Sequence, residues 1–228
     1  MIPEPILRYV VLPLAAYVIG ATPVGVILAR AHGVDLRRVG SGNVGATNVA
    51  RVLGRGWGYL CFALDVLKGL LPVAAAVALV RPAAGQVPSP AQQAAWLGVG
   101  LGAVLGHVFS FYLGFRGGKG VATALGVVLG IYPYFTGAGL VALGLWVAVT
   151  LISRYVSLGS IVAAVGFVPL FAAFNRRTVG QLWPLLAFGA AVAALILVRH
   201  RSNIRRLLTG TENKIGRPTS VTDASQRP

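Results

Sequence analysis

Long stretches of this chain alternate between runs with no charge and short polar segments. Residues 9–29, 93–113, 157–174 and 182–198 carry no charged side chain, and 57–80 carries only Asp65 and Lys68. A bilayer core is crossed by about 20 predominantly apolar residues in a helix, so each run predicts a span. Between 121 and 152 the chain is uncharged for 32 residues, interrupted by "GIYPYFTGAG". Pro133 and its glycines predict a break, giving a short helix at 121–132 and another at 135–152. Twelve residues cover only about 18 Å, so the short helix must tilt, thin the bilayer or stop partway.

Charge tests the count. With seven spans, the loops 30–56, 114–120 and 153–156 and the tail 199–228 share one side. That side holds Arg30, Arg37, Arg38, Arg51, Arg55, Arg116, Lys119, Arg154 and seven tail Arg/Lys, 15 in all. The other side keeps Arg8, Arg81, Arg176 and Arg177. Such a bias marks the cytoplasmic face, and six spans would put the arginine-rich tail opposite. The prediction is an all-α integral membrane protein with seven transmembrane helices, one short, N-terminus outside and C-terminus cytoplasmic. Residues 1–208 form one membrane domain and 209–228 a polar tail. "RPAAGQVPSPAQ" (81–92) reads as a linker, and no internal repeat is visible.

Composition agrees with the pattern. The 228 residues are 56% hydrophobic and 11% charged, against about 25% charged in soluble domains. The net charge of +15 follows from the positive-inside rule. Nucleic-acid binding would need a soluble basic face, which the chain lacks. Anionic lipid headgroups and phosphorylated substrates remain as partners. The single cysteine, Cys61, excludes an intrachain disulfide and lies in an apolar run, as a packing residue would. The opening "MIPEPILRYV" leads into too long an apolar run, with too little positive charge, for a cleaved signal peptide, so a retained first span is expected.

Three polar segments fall on the basic side. "GSGNVGATNVAR" (40–51) matches G-x-G-x-x-G at Gly40, Gly42 and Gly45, with Asp65 twenty residues on. The dinucleotide reading fails, because no strand precedes it and no βαβ unit surrounds it. Two readings stand: a polar turn capping a helix, or an anion site. In the second, bare amides of Gly42 and its neighbours approach phosphate, Ser41, Asn43, Thr47 and Asn48 add hydrogen bonds, and Arg51 offers a bidentate fork. "GFRGGKGVAT" (114–123) is not a Walker loop, since Gly120 follows Lys119. A basic anchor needs no such density of glycines. Gly117, Gly118 and Gly120 would leave Lys119 and the bare amides free to meet an anion. His107, twelve residues before Lys119, reads as a helix-end residue making one hydrogen bond. "RHRSNIRRL" (199–207) puts His200 and Asn203 on one helix face. Its arginines are explained by anchoring, but His200 and Asn203 are not.

Asp65 and Lys68 are i, i+3 neighbours inside a span. Intramembrane charges pair, face the protein interior or line a functional cavity, so they form a structural pair or a wall of the site. Three histidines and five acidic residues give no metal-ligand spacing, so no metal and no cofactor is expected. There is no G-x-S-x-G elbow. An H-x-x-x-x-D pattern is absent too, the fifth residue after the three histidines being Arg37, Tyr112 and Arg205.

Together these segments resemble the bacterial acyl-phosphate:glycerol-3-phosphate acyltransferase family (the PlsY type). The stretches that carry the resemblance are "DLRRVGSGNVGATNVAR", "LDVLKGLLPV", "GHVFSFYLGFRGGKGVAT", "RYVSLGS" and "RHRSNIRRLLTGTENKIG", in the family's order and over nearly the whole chain. Val44 stands where relatives often carry proline or isoleucine. The resemblance implies a seven-span fold and transfer of a fatty acyl group from acyl phosphate to the 1-hydroxyl of glycerol 3-phosphate. Ser41, Arg51 and Lys119 would hold glycerol 3-phosphate. The Gly117–Gly120 amides, Asn203 and His200 would bind the acyl phosphate, with Asp65, Lys68, His107 and Glu212 in support. The proton acceptor is a substrate phosphate oxygen or His200. A transporter of small phosphorylated anions is the alternative, although transporters place sites near the midplane, often between inverted repeats.

Overall fold

The computed structural model describes residues 3–216, so Arg217, Arg227 and the rest of the predicted tail beyond Gly216 lie outside the described residues. Every regular element among these residues is helical. Helix α1 runs over Glu4–Ala31, α2 over Ala46–Leu53, α3 over Arg55–Leu79, α4 over Pro90–Val108 and α5 over Val121–Gly130. Then follow α6 (Thr136–Ser153), α7 (Val156–Phe174), α8 (Trp183–Arg199) and α9 (Arg201–Leu208).

Among the described residues, five helices are long and apolar enough to cross a bilayer: α1, α3, α4 with its continuation to Leu113, α6 and α7. Helix α8 makes a sixth when taken with α9, to which it is bent by 59°. The short helix between Gly120 and Pro133 is present with ten residues, about 15 Å long. Their outward faces are hydrocarbon, as at Leu71, Leu140 and Ile152, the last 85% exposed. Large apolar groups turned outward along several helices suit lipid as the surrounding solvent.

Small residues let these helices meet closely. Gly98, Gly102 and Gly106 form a four-residue repeat on the α4 face against α1, where an added Cβ at Gly106 would lie 2.2 Å from the Tyr17 carbonyl oxygen. Gly69 on α3 and Gly126 on α5 do the same for that pair, meeting Thr123 O and Val66 O. Larger side chains fill the middle, where Phe135 stands edge-on to Phe167 and Phe171. Helix α1 is interrupted at Thr22–Pro23, since proline cannot continue the ladder. That break leaves Thr22 O to accept from Val24 N and from the Lys68 ammonium, each at 3.0 Å.

Candidate active site

The segments 35–51, 114–120, 153–157 and 199–215, far apart in sequence, meet at one end of the helix bundle. Ile215 N donates to Arg154 O at 2.9 Å, and one guanidinium nitrogen of Arg199 donates to Gly117 O and Gly118 O at 3.0 and 3.2 Å.

Lys119 is the centre of this end. Its ammonium donates to Asn203 Oδ1 at 2.5 Å, and Asn203 Nδ2 donates to Glu212 Oε1 at 2.6 Å. Ser157 Oγ donates to the same Glu212 oxygen at 2.9 Å, while Arg206 Nε donates to Oε2 at 2.7 Å. Only one orientation of the Asn203 amide satisfies both neighbours, with oxygen toward the ammonium and nitrogen toward the carboxylate. Burial, with the nearby cations Arg206, Arg199 and Arg51, brings the Lys119 ammonium down to about 8 despite Glu212. Burial would raise the Glu212 carboxyl, but hydrogen bonds from Asn203, Arg206 and Ser157 outweigh it and hold it below its ordinary range. Arg51, half-buried on α2, is lowered by burial and favoured by Glu212, and as a guanidinium it stays charged.

His200 sits at the bend between α8 and α9, 2% exposed, with Nδ1 2.8 Å from Ile196 O. That contact puts the proton on Nδ1 and leaves Nε2 as an acceptor. Burial first, then the Lys119 charge, pushes the imidazole down to about 4, so His200 is neutral at pH 7.

Beside this cluster lies a polar cleft lined by Arg37, Arg38, Arg116 and Arg199 with Ser41, Gly42 and Asn43; Asp35 is its one carboxylate. Below lies an apolar cavity bounded by α3 to α8. Val121 and Ile196 line it next to Lys119 and His200, and Phe135, Trp146 and Phe167 line it further in. Its one hydroxyl, on Ser160, is occupied, accepting from Trp146 Nε1 and donating to Val156 O.

The glycerol-3-phosphate acyltransferase family matches residues 10–210. The chain belongs to that family. The family's enzyme from Geobacter sulfurreducens is 46% identical over 91% of this chain and 98% of its own length. The one from Aquifex aeolicus is 43% identical over 87% and 95%. Among solved structures, PlsY (YgiH), an integral membrane glycerol 3-phosphate acyltransferase, matches in its glycerol 3-phosphate form with TM-score 0.79 and 41% identity, covering 91% of this chain and 96% of that one. Its lysophosphatidic acid form gives 0.76 and 40%, over 91% and 95%. This acyltransferase is therefore an enzyme and a multi-pass membrane protein, and the transporter reading falls.

Several residues expected at the anion site do other work in this acyltransferase. Asn48, 1% exposed, donates to Leu36 O and Val39 O and accepts from Ser41 N, clamping the loop over α2. Asn43 Oδ1 accepts from Gly45 N, while Thr47 stays exposed. Gly40 and Gly42 adopt φ of 61° and 69°, left-handed values that favour glycine. The expectation of free amides at Gly117 and Gly118 is corrected: Gly117 N donates to Val108 O and Gly118 N to His107 O. Glycine is needed there because a Cβ would strike His107, its carbonyl at 2.0 Å and its ring at 2.2 Å. Among the described residues the Lys119 and Gly120 amides have no such partner, and they lie at the N-terminus of α5.

Asp65, Lys68 and His107 lie together beneath this loop, His107 alone touching it, and none of the three lines the open cleft. The arginines of 199–207 are more than anchors, since Arg199 and Arg206 have named partners in the site. Ser157 was not anticipated as a site residue; its one signal is a hydroxyl at the polar end of an apolar run. Glu212 sits deeper in the network than a supporting place in a polar tail suggested.

Proposed function

We propose that the enzyme transfers a fatty acyl group from acyl phosphate to the 1-hydroxyl of glycerol 3-phosphate, releasing lysophosphatidic acid and inorganic phosphate for bacterial phospholipid synthesis. The observation that carries this reading is the meeting of a cationic cluster with a hydrocarbon-lined cavity. One substrate is a small phosphate ester, and the other joins a phosphate to an acyl chain. Arg51, Lys119 and Ser41 hold the glycerol 3-phosphate headgroup, and the chain of the donor enters the apolar cavity past Val121 and Ile196. The bias of 15 basic residues to four supports seven membrane passages, counting α5 and α8, with this end in the cytoplasm at the inner membrane and the N-terminus opposite.

The hydroxyl oxygen attacks the acyl carbon, and the carbonyl oxygen gains negative charge as the tetrahedral species forms. Lys119, with the Lys119 and Gly120 amides and the α5 dipole, opposes that charge. The C–O bond to phosphate then breaks, and phosphate leaves with the electron pair. Because phosphate is already a good leaving group, no covalent enzyme intermediate is needed and positioning supplies much of the acceleration. The hydroxyl proton passes to a phosphate oxygen. A phosphate monoester takes its second proton near pH 6, which makes it a stronger base than an imidazole held at about 4.

His200 Nε2 then serves as a neutral acceptor that orients the hydroxyl. His200→Gln, which supplies an acceptor oxygen, is expected to keep measurable turnover, lowered about 10-fold to 10²-fold. Loss at the upper end of the general-base range, ~10⁴-fold, with unchanged glycerol 3-phosphate binding would instead make His200 the base.

Purified protein in lipid mesophase, given palmitoyl phosphate and glycerol 3-phosphate, is the direct test. Stoichiometric phosphate and lysophosphatidic acid are expected; acyl transfer from acyl-CoA alone would overturn the donor assignment. The profile of kcat/KM, which reports the free enzyme, is expected to fall on an alkaline limb near pH 8 as Lys119 loses its proton. In kcat the limb is expected at higher pH, because bound phosphate favours the ammonium.

A further inference from the structure

Three buried polar side chains lie under the glycine loop without facing the cleft. Asp65 is 3% exposed on α3, one turn from Lys68, and His107 is buried near the end of α4. Lys68 Nζ stands 2.6 Å from Asp65 Oδ1 and donates to Thr22 O, the carbonyl that the Pro23 break exposes. His107 Nδ1 stands 3.6 Å from the same Asp65 oxygen. The other edge of the ring is the floor of the loop, since Nε2 lies 2.2 Å from where a Cβ on Gly118 would be. The His107 carbonyl accepts from Gly118 N and the Val108 carbonyl from Gly117 N. Lys119 follows directly.

A single chain of contacts thus runs from the α1 break through Lys68, Asp65 and His107 to the loop that presents Lys119. An isolated ion pair would satisfy itself without touching that loop. This one stands against the ring on which the loop rests. We infer that Asp65, Lys68 and His107 are positioning residues for acyl transfer, setting the height of the Gly117–Gly118 backbone and so the place of the Lys119 ammonium. The inference rests on the site assignment above for its kinetic consequence, but not for its structural one.

Removing one charge of a buried pair strands the other, so both go together in Asp65→Leu/Lys68→Met. His107→Asn is the second variant: its shorter amide keeps a polar group on the Asp65 side, while the ring beneath Gly118 is gone. Hydrogen exchange of the 114–120 segment and steady-state kinetics are measured on both, in full-length protein, with thermal midpoints as control. Expected are exchange at least 10-fold faster in that segment and KM for glycerol 3-phosphate raised about 10-fold, with helices α6–α8 exchanging as in the parent. A lower midpoint with parent-like loop exchange and KM would reduce the trio to a structural pair and a packed ring, overturning the inference. If the parent protein transfers no acyl group, the functional reading fails, while the exchange comparison still decides whether the trio braces the loop.

Discussion

Replacing Lys119 with alanine is expected to lower kcat/KM by about 10³-fold or more while leaving the folded enzyme intact. Removing one preorganised donor to a developing oxyanion typically costs about 10²–10³ in rate, and Lys119 also supplies positive charge for the headgroup. The fold is expected to survive for a reason visible in the ammonium itself. Its pKa falls from an ordinary 10.5 to about 8, so folding disfavours its charged form. At pH 7, below both values, the charged lysine detracts from stability, and that penalty fades as pH rises through 8 toward 10.5. Alanine removes the penalty, so the thermal midpoint should stay level or rise. Lys119→Arg is not expected to rescue, because a planar fork replaces a compact point charge in the space between Gly118 and Asn203. A midpoint drop matching the activity loss, or turnover within about 10-fold of the parent, would remove Lys119 from the chemistry.

The long apolar helices were legible from runs almost free of charge, because a bilayer demands them and little else produces them. The break at Pro133 was legible for a local reason, proline and glycine at the centre of an overlong run. Lys119, His200, Asn203 and Arg51 stood out because anchoring and insertion explain none of their particular surroundings. What pattern alone misread was the purpose of polar groups that serve the backbone. Asn48 looks like a ligand in sequence, but its three partners are Leu36 O, Val39 O and Ser41 N. Gly117 and Gly118 look like an anion nest, yet their hydrogens already meet carbonyls of the α4 end, Val108 O and His107 O. Glycine selected for close approach and glycine selected for exposed amides leave the same letters. Ser157 and Arg206 needed tertiary proximity to become meaningful, since each acquires its role only when Glu212 folds between them.

Glu212 carries the second large effect. One carboxylate accepts from Asn203, Ser157 and Arg206 and offsets the mutual repulsion of Lys119, Arg51 and Arg206. Glu212→Ala leaves those donors without their acceptor, each at a cost of about 1–3 kcal/mol where buried, and removes the partner that helps hold the Asn203 amide against the ammonium. A clear fall in thermal midpoint is expected, with turnover reduced about 10²-fold or more. Glu212→Gln separates charge from shape. Its oxygen still accepts from Asn203 and Ser157, but its amide nitrogen meets the Arg206 donor. With the negative charge gone, the surrounding cations act on Lys119 unopposed, so the alkaline limb of kcat/KM is expected to move below pH 8. The clamp itself titrates in the other direction. Since the folded carboxyl lies below its ordinary 4.5, its stabilisation is complete above that value and lost as pH falls through the folded one. Stability near pH 7 should therefore not depend on it through titration, and only the substitutions expose it. A glutamine variant less stable than the parent but with the alkaline limb unmoved would make Glu212 a tail clamp alone, with no hold on the Lys119 charge.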